Sequence, residues 1–271
     1  MSINYKPFYL MTHTRKTKIS WVEAEKISVR GFAVENLIGN ISFGAALYLL
    51  LCGELPTKEQ ARMLEAILIA VIDHGVRAPS TIACVTIANT GASLNASVAA
   101  GILAINKYHG GAIEDAMRVL SEAIQTRDAE KLDALEAARK TVANYRAKDE
   151  RVSGFGHRFH QADPRTVRLF ELARELDIAG KYVAQAEALE KVLSESAGKN
   201  LPINADGAIA ALLCEMDFPP SIANGIFMIA RVGGLVAHAV EEQESNPPMR
   251  TVDAENYEYD GVGERKFIAD T

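Results

Sequence analysis

Apolar residues recur at spacings of three and four positions along most of the chain, which is the period of amphipathic α-helices. The segment Thr57–Gln60 has the pattern of a capping box, and the helix that it opens is predicted to run to about His74. Ser42 and Gly53 are placed to cap the two ends of a preceding helix that reaches Leu51. Alternating runs of β-branched residues last only a few positions. The pattern therefore predicts an all-α fold.

The same pattern predicts further helices, some of them separated by glycine-bearing junctions. The helices are expected at about 81–90, 93–107, 111–126, 128–147, 164–176, 181–197, 207–216 and 221–243. Asp163 and Pro164 predict a helix start, because aspartate caps a helix and proline fits its first turn. The junctions are Tyr108–Gly111, Ser153–His157 and Asn204–Gly207. Functional loops are expected at these helix ends.

Composition and charge exclude several classes of protein. Of the 271 residues 48% are apolar and 24% charged, and the net charge is −6, which is typical of a globular protein and argues against a general nucleic-acid binder. The longest apolar stretches, 45–52 and 66–72, are far shorter than the roughly 18 residues that predict a membrane span. The N-terminus does not have the pattern of a secretory signal. Membrane association and export are therefore not expected.

Three cysteines, Cys52, Cys84 and Cys214, stand singly in apolar surroundings. They form no CxxC pair, and their number is odd. We expect buried thiols in a reducing compartment, which predicts a cytoplasmic location.

Histidines and one aspartate at the junctions are the first candidates for chemistry. His74, His109 and His157 lie at or beside helix ends, and a histidine near its ordinary pKa of about 6.5 can exchange a proton at neutral pH. The alternative for each is a capping or packing role. Asp206 has a similar alternative, because Asn204–Gly207 is also compatible with a helix N-cap formed by the aspartate.

Two arginines, Arg165 and Arg231, fall in helical segments rich in apolar residues. An arginine that faces inward needs an anion, which is either a ligand or an internal carboxylate. His157 and His160 have the spacing of a metal-ligand pair, but further ligand pairs are lacking and no metal site is predicted. No P-loop or GxGxxG motif indicates a nucleotide-binding fold.

The order and wording of several segments resemble the citrate synthase superfamily over almost the whole chain. The segment at 26–57 ends in LLCGELPT, and 223–242 resembles the family's long arginine-bearing helix. Between them follow, in the family's order, Asp73-His74, YHGGA at 108–112, GFGH at 154–157, DPR at 163–165 and NADG at 204–207.

The resemblance implies an all-α fold in which a large and a smaller helical domain close over a cleft. The large domain is expected to comprise 1–109 and 216–271, and the small domain 110–215. The family's sites are usually completed at a dimer interface, so a homodimer or a higher homo-oligomer is expected. The apolar helices at 42–52 and 93–107 are candidates for that contact, or for internal core.

Catalytic roles follow from the same resemblance, residue by residue. His109 matches the histidine that polarises the thioester carbonyl of acetyl-CoA, and His157 the histidine that bonds the carbonyl or hydroxyl of the oxaloacetate carbon. Asp206 matches the aspartate that exchanges a proton with the acetyl methyl group. These roles agree with the chemistry, because an enolate beside a thioester requires a base at carbon and a donor at oxygen.

Substrate-binding roles are also implied by the resemblance. His74, Arg165 and Arg231 match residues that hold the carboxylates of oxaloacetate or citrate, and Arg250 matches an arginine donated across the dimer interface. The loop of Ser153, Gly154, Phe155 and Gly156 resembles the segment that contacts the adenine of CoA through its backbone. The expected partners are thus a CoA thioester and an oxaloacetate or citrate moiety, and CoA is part of the substrate rather than a separate cofactor.

Two departures from full-length citrate synthases indicate a branch of the superfamily. The stretch from Leu55 to His74 is much shorter, and NADG is followed directly by AIAALLCEM. Both features resemble citryl-CoA lyase and the C-terminal module of ATP-citrate lyase, although that module lacks the histidine at position 109. The sequence predicts a citryl-CoA lyase. The alternatives are a synthase-type acyltransferase that condenses an acyl-CoA with a 2-oxo acid, and a non-catalytic regulatory subunit of the same fold.

Overall fold

The computed structural model describes residues 16–156, 163–249 and residue 260, and this part of the chain is predominantly α-helical, as predicted. Its α-helices are α1 Val34–Leu37, α2 Phe43–Cys52, α3 Lys58–Ala70, α4 Pro79–Asn89, α5 Leu94–Leu103, α6 Ala112–Glu130, α7 Ala134–Ala147, α8 Pro164–Glu175, α9 Lys181–Ala197, α10 Ala205–Glu215 and α11 Ala223–Ser245. A 3-10 turn at Pro220–Ile222 precedes α11.

The capping residues predicted from the sequence define the ends of α2 and the start of α3. The Ser42 side chain accepts a hydrogen bond from the Ala45 N–H, and Gly53 ends α2 in the left-handed conformation, with φ 94°. Thr57 and Gln60 exchange the two hydrogen bonds of a capping box. The predicted extension of α3 to His74 is wrong, because the helix ends at Ala70.

A three-stranded antiparallel sheet near the N-terminus was not predicted. Its strands are β1 Ser20–Glu23, β2 Lys26–Val29 and β3 Phe32–Ala33, paired in that order. Each strand has at most four residues, which is too short for the alternation of apolar and polar positions to identify it. Arg30, with φ 50° in the turn before β3, donates from Nε and Nη2 to the carbonyl of Leu50 in α2.

The chain divides into two compact units, which we call unit 1 and unit 2. Unit 1 contains the described residues of 1–70 and 112–223, and unit 2 those of 71–111 and 224–271. The chain passes from one unit to the other after residues 111 and 223, near the predicted domain boundaries after 109 and 215. Residues 1–70, however, belong to the same unit as 112–223 and not to that of 71–109. The domain boundaries derived from the resemblance stay a prediction.

The core of unit 1 is built around α10, in which nine of the eleven residues are buried. This helix packs against α6, α8 and α9. Its sequence, ADGAIAALLCE, is apolar on every side beyond its first turn, which is what a helix surrounded by other helices requires. The N-terminal turn of α10 is therefore held firmly by the core behind it.

Unit 2 is formed by α4 and α5 together with the C-terminal helix α11. Its core contains the buried residues Cys84, Ala88, Leu235 and Ala239, with Val98 and Ile102 packed against them. At the end of α11 the buried carboxylate of Glu242 accepts a 2.8 Å hydrogen bond from the Asn89 side chain.

Two expectations about the chain are corrected by the structure. Cys52 is exposed at the end of α2, whereas Cys84 and Cys214 are buried as predicted; all three are free thiols. The segment Pro220–Ser245 is long and apolar enough to cross a membrane, a property that buried core helices share, although the sequence predicted no such stretch. The polar residues Arg231 and His238 interrupt its apolar runs, so no long continuous apolar stretch marks it in the sequence.

Candidate functional site

The predicted site residues fall into two groups, one in each unit. The His109 group, in unit 2, contains His74, His109 and Arg231, together with Ser80 and Phe227. The Asp206 group, in unit 1, contains Ser153–Gly156, Arg165 and Asp206, together with Asp163 and Asn204. The predicted site residues His157 and Arg250 lie outside the described residues, as does His160.

His109 is held by the start of α4 and by the turn on which it lies. The backbone N–H and C=O of His109 pair with those of Asn106, at 2.9 and 2.8 Å, and close that turn. The His109 Nε2 atom lies 2.9 Å from the Ser80 hydroxyl oxygen and accepts the Ser80 backbone N–H at 3.4 Å. Ser80 is completely buried. Ser80 was not among the predicted site residues.

The hydrogen bonds around Ser80 determine which nitrogen of His109 carries the proton. The Arg231 guanidinium can only donate, and its Nη1 lies 3.5 Å from the Ser80 Oγ. The backbone N–H of Ser80 can also only donate, and its 3.4 Å contact with Nε2 of His109 favours the tautomer in which Nε2 is unprotonated. The neutral imidazole then carries its proton on Nδ1, which leaves an N–H donor on the ring edge away from Ser80.

The surroundings of His109 favour this neutral form. Burial lowers the pKa of His109 below its ordinary value, and the positive charge of Arg231 and the neighbouring His74 lower the pKa further. At neutral pH the side chain is thus an uncharged hydrogen-bond donor rather than an imidazolium.

Arg231 is only 2% exposed and is held on two sides. Its Nε donates to the Val71 carbonyl at 3.1 Å, and its guanidinium lies over the Phe227 ring, 4.8 Å from the centroid. The same ring meets His109 edge-on, with centroids 5.9 Å apart. Phe227 therefore contacts two of the predicted site residues, although in the sequence it is marked only as an apolar position in α11.

In the Asp206 group, the loop Ser153–Gly156 is joined to the chain just before α10 by backbone and amide hydrogen bonds. The Gly154 carbonyl accepts from the Asn204 N–H at 3.1 Å, and the Asn204 side chain donates to the Gly156 carbonyl at 3.0 Å. Gly156 N–H donates to the Pro202 carbonyl at 2.7 Å. These bonds connect the predicted CoA-binding loop directly to the turn that carries Asp206.

The close approach of Gly154 and Gly207 requires that both residues lack a side chain. A Cβ on Gly207 would lie 2.2 Å from the Gly154 carbonyl oxygen, and a Cβ on Gly154 would lie 2.8 Å from the Gly207 Cα. Gly154 also has φ 91°, in the left-handed region that favours glycine. The two glycines of the predicted motifs therefore bring the loop and α10 into backbone contact.

Asp206 is half-buried in the first turn of α10, but it is not the N-cap. That role belongs to Asn204, whose side-chain oxygen accepts the Gly207 N–H at 3.1 Å. The capping alternative for Asp206 is thus wrong. A helix N-terminus also provides a favourable environment for a carboxylate, because its backbone N–H groups carry partial positive charge.

Arg165 has an internal carboxylate partner, Asp163. The Arg165 Nε and Nη2 atoms bond the two carboxylate oxygens of Asp163 at 3.0 and 2.7 Å, and Asp163 also accepts the backbone N–H groups of Arg165 and Ala205. Burial alone would raise the pKa of Asp163, but the hydrogen bonds and charge of Arg165 and the backbone N–H groups hold that pKa below its usual value. Asp163 thus caps α8, as predicted, and also joins it to α10.

A cavity of about 600 Å³ lies beside the Ser153–Gly156 loop within unit 1. Its apolar wall includes Phe155, Leu193 and Leu201, and the basic side chains of Arg151 and Lys199 also line it. Its volume is in the range of pockets that hold small molecules. Among the described residues there is no cluster of three His, Cys, Asp or Glu side chains arranged to bind a metal ion.

Comparisons with known proteins agree on one fold. Residues 56–251 match the family model described as citrate synthase, C-terminal domain. The chain is 29% identical over 235 residues to a citrate synthase from Haloferax volcanii, covering 83% of this chain and 59% of that protein. Several other curated relatives are likewise covered over little more than half of their length.

Solved structures extend the likeness to nearly the whole chain. The citryl-CoA lyase from Hydrogenobacter thermophilus is 40% identical, with a TM-score of 0.86, and the match covers 94% of this chain and 97% of that one. A Methanosaeta concilii ATP citrate lyase, in complex with (3S)-citryl-CoA, is 22% identical with a TM-score of 0.80, which shows a shared fold. That match covers 96% of this chain and 43% of the longer one.

Proposed function

Because the chain belongs to the citrate synthase family, we propose that it is an enzyme that cleaves (3S)-citryl-CoA to acetyl-CoA and oxaloacetate. The observation that carries the proposal is the 40% identity to a citryl-CoA lyase over nearly the full length of both chains. The full-length citrate synthases that the chain resembles are considerably longer, since 59% of the Haloferax volcanii protein is covered.

The proposed reaction is the reverse of a Claisen condensation. A base removes the hydroxyl proton of citryl-CoA, the central C–C bond breaks, and the oxygen becomes the ketone of oxaloacetate. The bonding electrons move onto the CoA-bearing fragment, which becomes the enolate of acetyl-CoA. A proton delivered to the enolate carbon completes the acetyl methyl group. The balance requires no redox carrier, and CoA takes part as a portion of the substrate.

Each of the three proposed catalytic residues has one role in this reaction. His157 takes the hydroxyl proton, His109 donates a hydrogen bond to the thioester oxygen, and Asp206 protonates the enolate carbon. The geometry of His109 supports its part, because the Ser80 N–H at Nε2 leaves the Nδ1–H as the donor. A neutral donor of this kind stabilises a developing oxyanion without itself giving up a proton.

Carboxylate recognition is assigned to His74, Arg165, Arg231 and Arg250. Arginine suits this role because its planar guanidinium can form paired, charge-assisted hydrogen bonds with a carboxylate. Arg165 is already paired with Asp163, and its side chain is 27% exposed. We propose that the Asp163 pair orients Arg165, and that its remaining N–H groups bind substrate.

The nucleotide end of CoA is assigned to the loop Ser153–Gly156 and the adjacent cavity. The apolar wall suits a purine ring, and Arg151 and Lys199 supply positive charge for a phosphate.

Replacing Lys199 by alanine is expected to raise the KM for citryl-CoA about threefold to tenfold at unchanged kcat. Lys191, exposed on α9 and not among the residues lining the cavity, gives the matched control Lys191→Ala, for which KM should not change.

The second candidate is a synthase-type acyltransferase, which the names of the curated relatives favour. The two activities differ in their products. Purified protein is given synthetic citryl-CoA, oxaloacetate is followed through malate dehydrogenase and NADH, and free thiol is monitored in parallel. Oxaloacetate without free CoA supports the lyase, whereas free CoA without oxaloacetate indicates thioester hydrolysis and the synthase.

Substitution of Asp206 tests the proposed mechanism. Asp206→Asn is expected to lower kcat by roughly 10²-fold or more, because the amide cannot donate the proton to the enolate carbon. Asp217, exposed beyond the other end of α10 with φ 58°, provides the control Asp217→Asn, which should retain wild-type kcat. Near-wild-type cleavage by Asp206→Asn would contradict the mechanism. If the folded protein does not bind CoA esters in calorimetry, the regulatory alternative is favoured.

We further propose a homo-oligomeric, cytoplasmic enzyme. The helices expected at the subunit contact expose large apolar side chains: Phe43 and Leu50 on α2, and Leu94 and Leu103 on α5. The three free cysteines support a reducing compartment. Sedimentation of the wild type and of Leu103→Asp tests the oligomer, since a charge at a contact should shift the equilibrium towards the monomer.

A further inference from the structure

Three consecutive residues just before His74, namely Val71, Ile72 and Asp73, contact one face of α11. Arg231 Nε donates to the Val71 carbonyl at 3.1 Å, and His238 Nε2 lies 3.1 Å from the Asp73 Oδ1. Between these two contacts, Gly234 lies against the backbone of Ile72. Arg231, Gly234 and His238 are spaced by three and four residues and therefore share one face of the helix.

Gly234 permits this attachment because it has no side chain. A Cβ at this position would lie 2.6 Å from the Ile72 carbonyl oxygen and 2.8 Å from the Asp73 Oδ1. With glycine at position 234, the segment approaches α11 more closely than a residue with a side chain would allow. One helical turn further along, the His238 Nε2 atom contacts the Asp73 carboxylate.

The Asp73 carboxylate connects this helix contact to the residues that follow it. Its Oδ2 accepts the Gly75 N–H at 2.9 Å. Burial alone would raise the pKa of Asp73, but the backbone N–H groups of Gly75 and His74 and the neighbouring His238 hold that pKa below its usual value. One carboxylate thus links the residue that follows His74 to the helix α11. A second acidic group, Glu241, also faces the His238 ring, with its Oε2 3.8 Å from Nδ1.

We propose that Asp73 and His238 are positioning residues, which hold His74 in register with Arg231 on α11 so that both bind the carboxylates of the citryl moiety. The inference rests on the proposed function for the role of His74 and Arg231. It goes beyond that function because neither Asp73 nor His238 contacts the substrate in it. Arg231 is fixed by its own contacts with Phe227 and Val71, so the Asp73–His238 pair sets where His74 lies relative to it.

The test compares His238→Ala, His238→Gln and Glu241→Gln with the wild type. His238→Ala removes the donor to Asp73, whereas glutamine retains an N–H donor of similar reach. Glu241→Gln removes the charge of the second neighbour and leaves the Asp73 contact intact. For each protein we would measure the thermal midpoint, amide hydrogen exchange at residues 73–75, the Kd of citrate and of CoA by calorimetry, and the kinetics with citryl-CoA.

Four results are expected of His238→Ala, and one of each of the other two variants. His238→Ala should exchange the Gly75 amide faster, bind citrate about tenfold more weakly and raise the KM for citryl-CoA by a similar factor, because a small displacement of a positioned group lowers binding strongly. Its CoA affinity should be unchanged. His238→Gln should recover most of the citrate affinity, and Glu241→Gln should behave as the wild type. A merely structural role would instead lower the thermal midpoint and weaken citrate and CoA binding alike.

Two other results would overturn the inference. One is citrate affinity within twofold of the wild type in His238→Ala, whether or not the Gly75 amide exchanges faster. The other is a wild-type protein that binds no citrate. A wild type that binds citrate but does not cleave citryl-CoA would reject the proposed function alone, because hydrogen exchange and citrate binding would still decide whether the pair positions His74.

Discussion

Around Asp206 the contacts that fix the chain run mainly from backbone to backbone. Gly154 and Gly207 touch directly, and carbonyl and N–H groups join the loop to the segment before α10. Around His109 the contacts that join the site residues run mainly between side chains. Arg231 contacts Ser80, Ser80 contacts His109, and Phe227 packs against both the imidazole ring and the guanidinium. Backbone contacts tolerate no added atoms, whereas side-chain contacts can be removed singly. The two groups should therefore respond differently to substitution.

The largest effect is expected from Gly207→Ala. The added Cβ would meet the Gly154 carbonyl oxygen at 2.2 Å, so the loop or the buried helix α10 must shift. We expect a loss of about 3 kcal/mol or more in the free energy of unfolding, measured by urea denaturation. Gly225→Ala is the control, since a Cβ there meets nothing within 4 Å in α11, and alanine favours helix. Equal stability of the two variants would contradict the backbone description of the Asp206 group.

Asp163→Asn tests the one charged connection in the Asp206 group. The amide loses the paired bond with Arg165, and we expect about 2 kcal/mol of stability to be lost at pH 7. Because the folded-state pKa of Asp163 is lowered, the wild-type advantage is full above the unfolded pKa of about 3.9 and disappears as the pH falls through the folded pKa. Asp177→Asn, at an exposed position with φ 57°, should change little. A pH-independent difference would contradict the role of the charge.

Ser80→Ala tests the side-chain description of the His109 group. The variant removes the hydroxyl between Arg231 and His109 but keeps the backbone N–H that bonds Nε2. We expect kcat to fall about tenfold, equivalent to about 1.4 kcal/mol, because His109 is less firmly oriented. Ser97→Ala is the matched control, since Ser97 is equally buried and its hydroxyl donates to the carbonyl of Ser93, the N-cap of α5. Equal kcat values for the two variants would contradict the description.

The smallest effect is the dependence of stability on pH that His109 introduces. Its pKa is lowered in the folded protein, so the unfolded chain binds the proton first as the pH falls. The free energy of unfolding should decrease below pH 6.5, by less than about 1.4 kcal/mol per pH unit, and level off below the folded pKa. Above pH 6.5 the histidine contributes nothing. In His109→Gln this decrease should be absent between pH 7.5 and 5.5; an unchanged decrease would assign it to another group.

The helices were predictable because their signals are local. The caps at Ser42, Gly53 and Asp163 depend on residues only a few positions apart, and each was found where the sequence placed it. The ends that depend on distant contacts were not. The predicted helix at 93–107 ends at Leu103, because the chain then turns to pair Asn106 with His109.

Of the candidate site, only the residues that belong to recognisable sequence motifs were predictable. His109, Arg231 and Asp206 were identified by resemblance, but nothing local distinguishes Ser80 from other serines near a helix start. Its importance comes from His109, which follows 29 positions later, and Arg231, 151 positions later. Cys52 was placed in the core because its neighbours are apolar, but α2 turns this position outward.

Because unit 2 is built from two separate segments of the chain, it cannot be completed until late in synthesis. Its α4 and α5 leave the ribosome long before α11, because the segment 112–223 is synthesised between them. At about 5–20 residues per second this delay is of order ten seconds. During it, Cys84, Ala88, Val98 and Ile102 lack the face of α11 that covers them. A nascent chain stalled before residue 224 should therefore be a good substrate for chaperones that bind exposed apolar helices, and fragments ending there should aggregate.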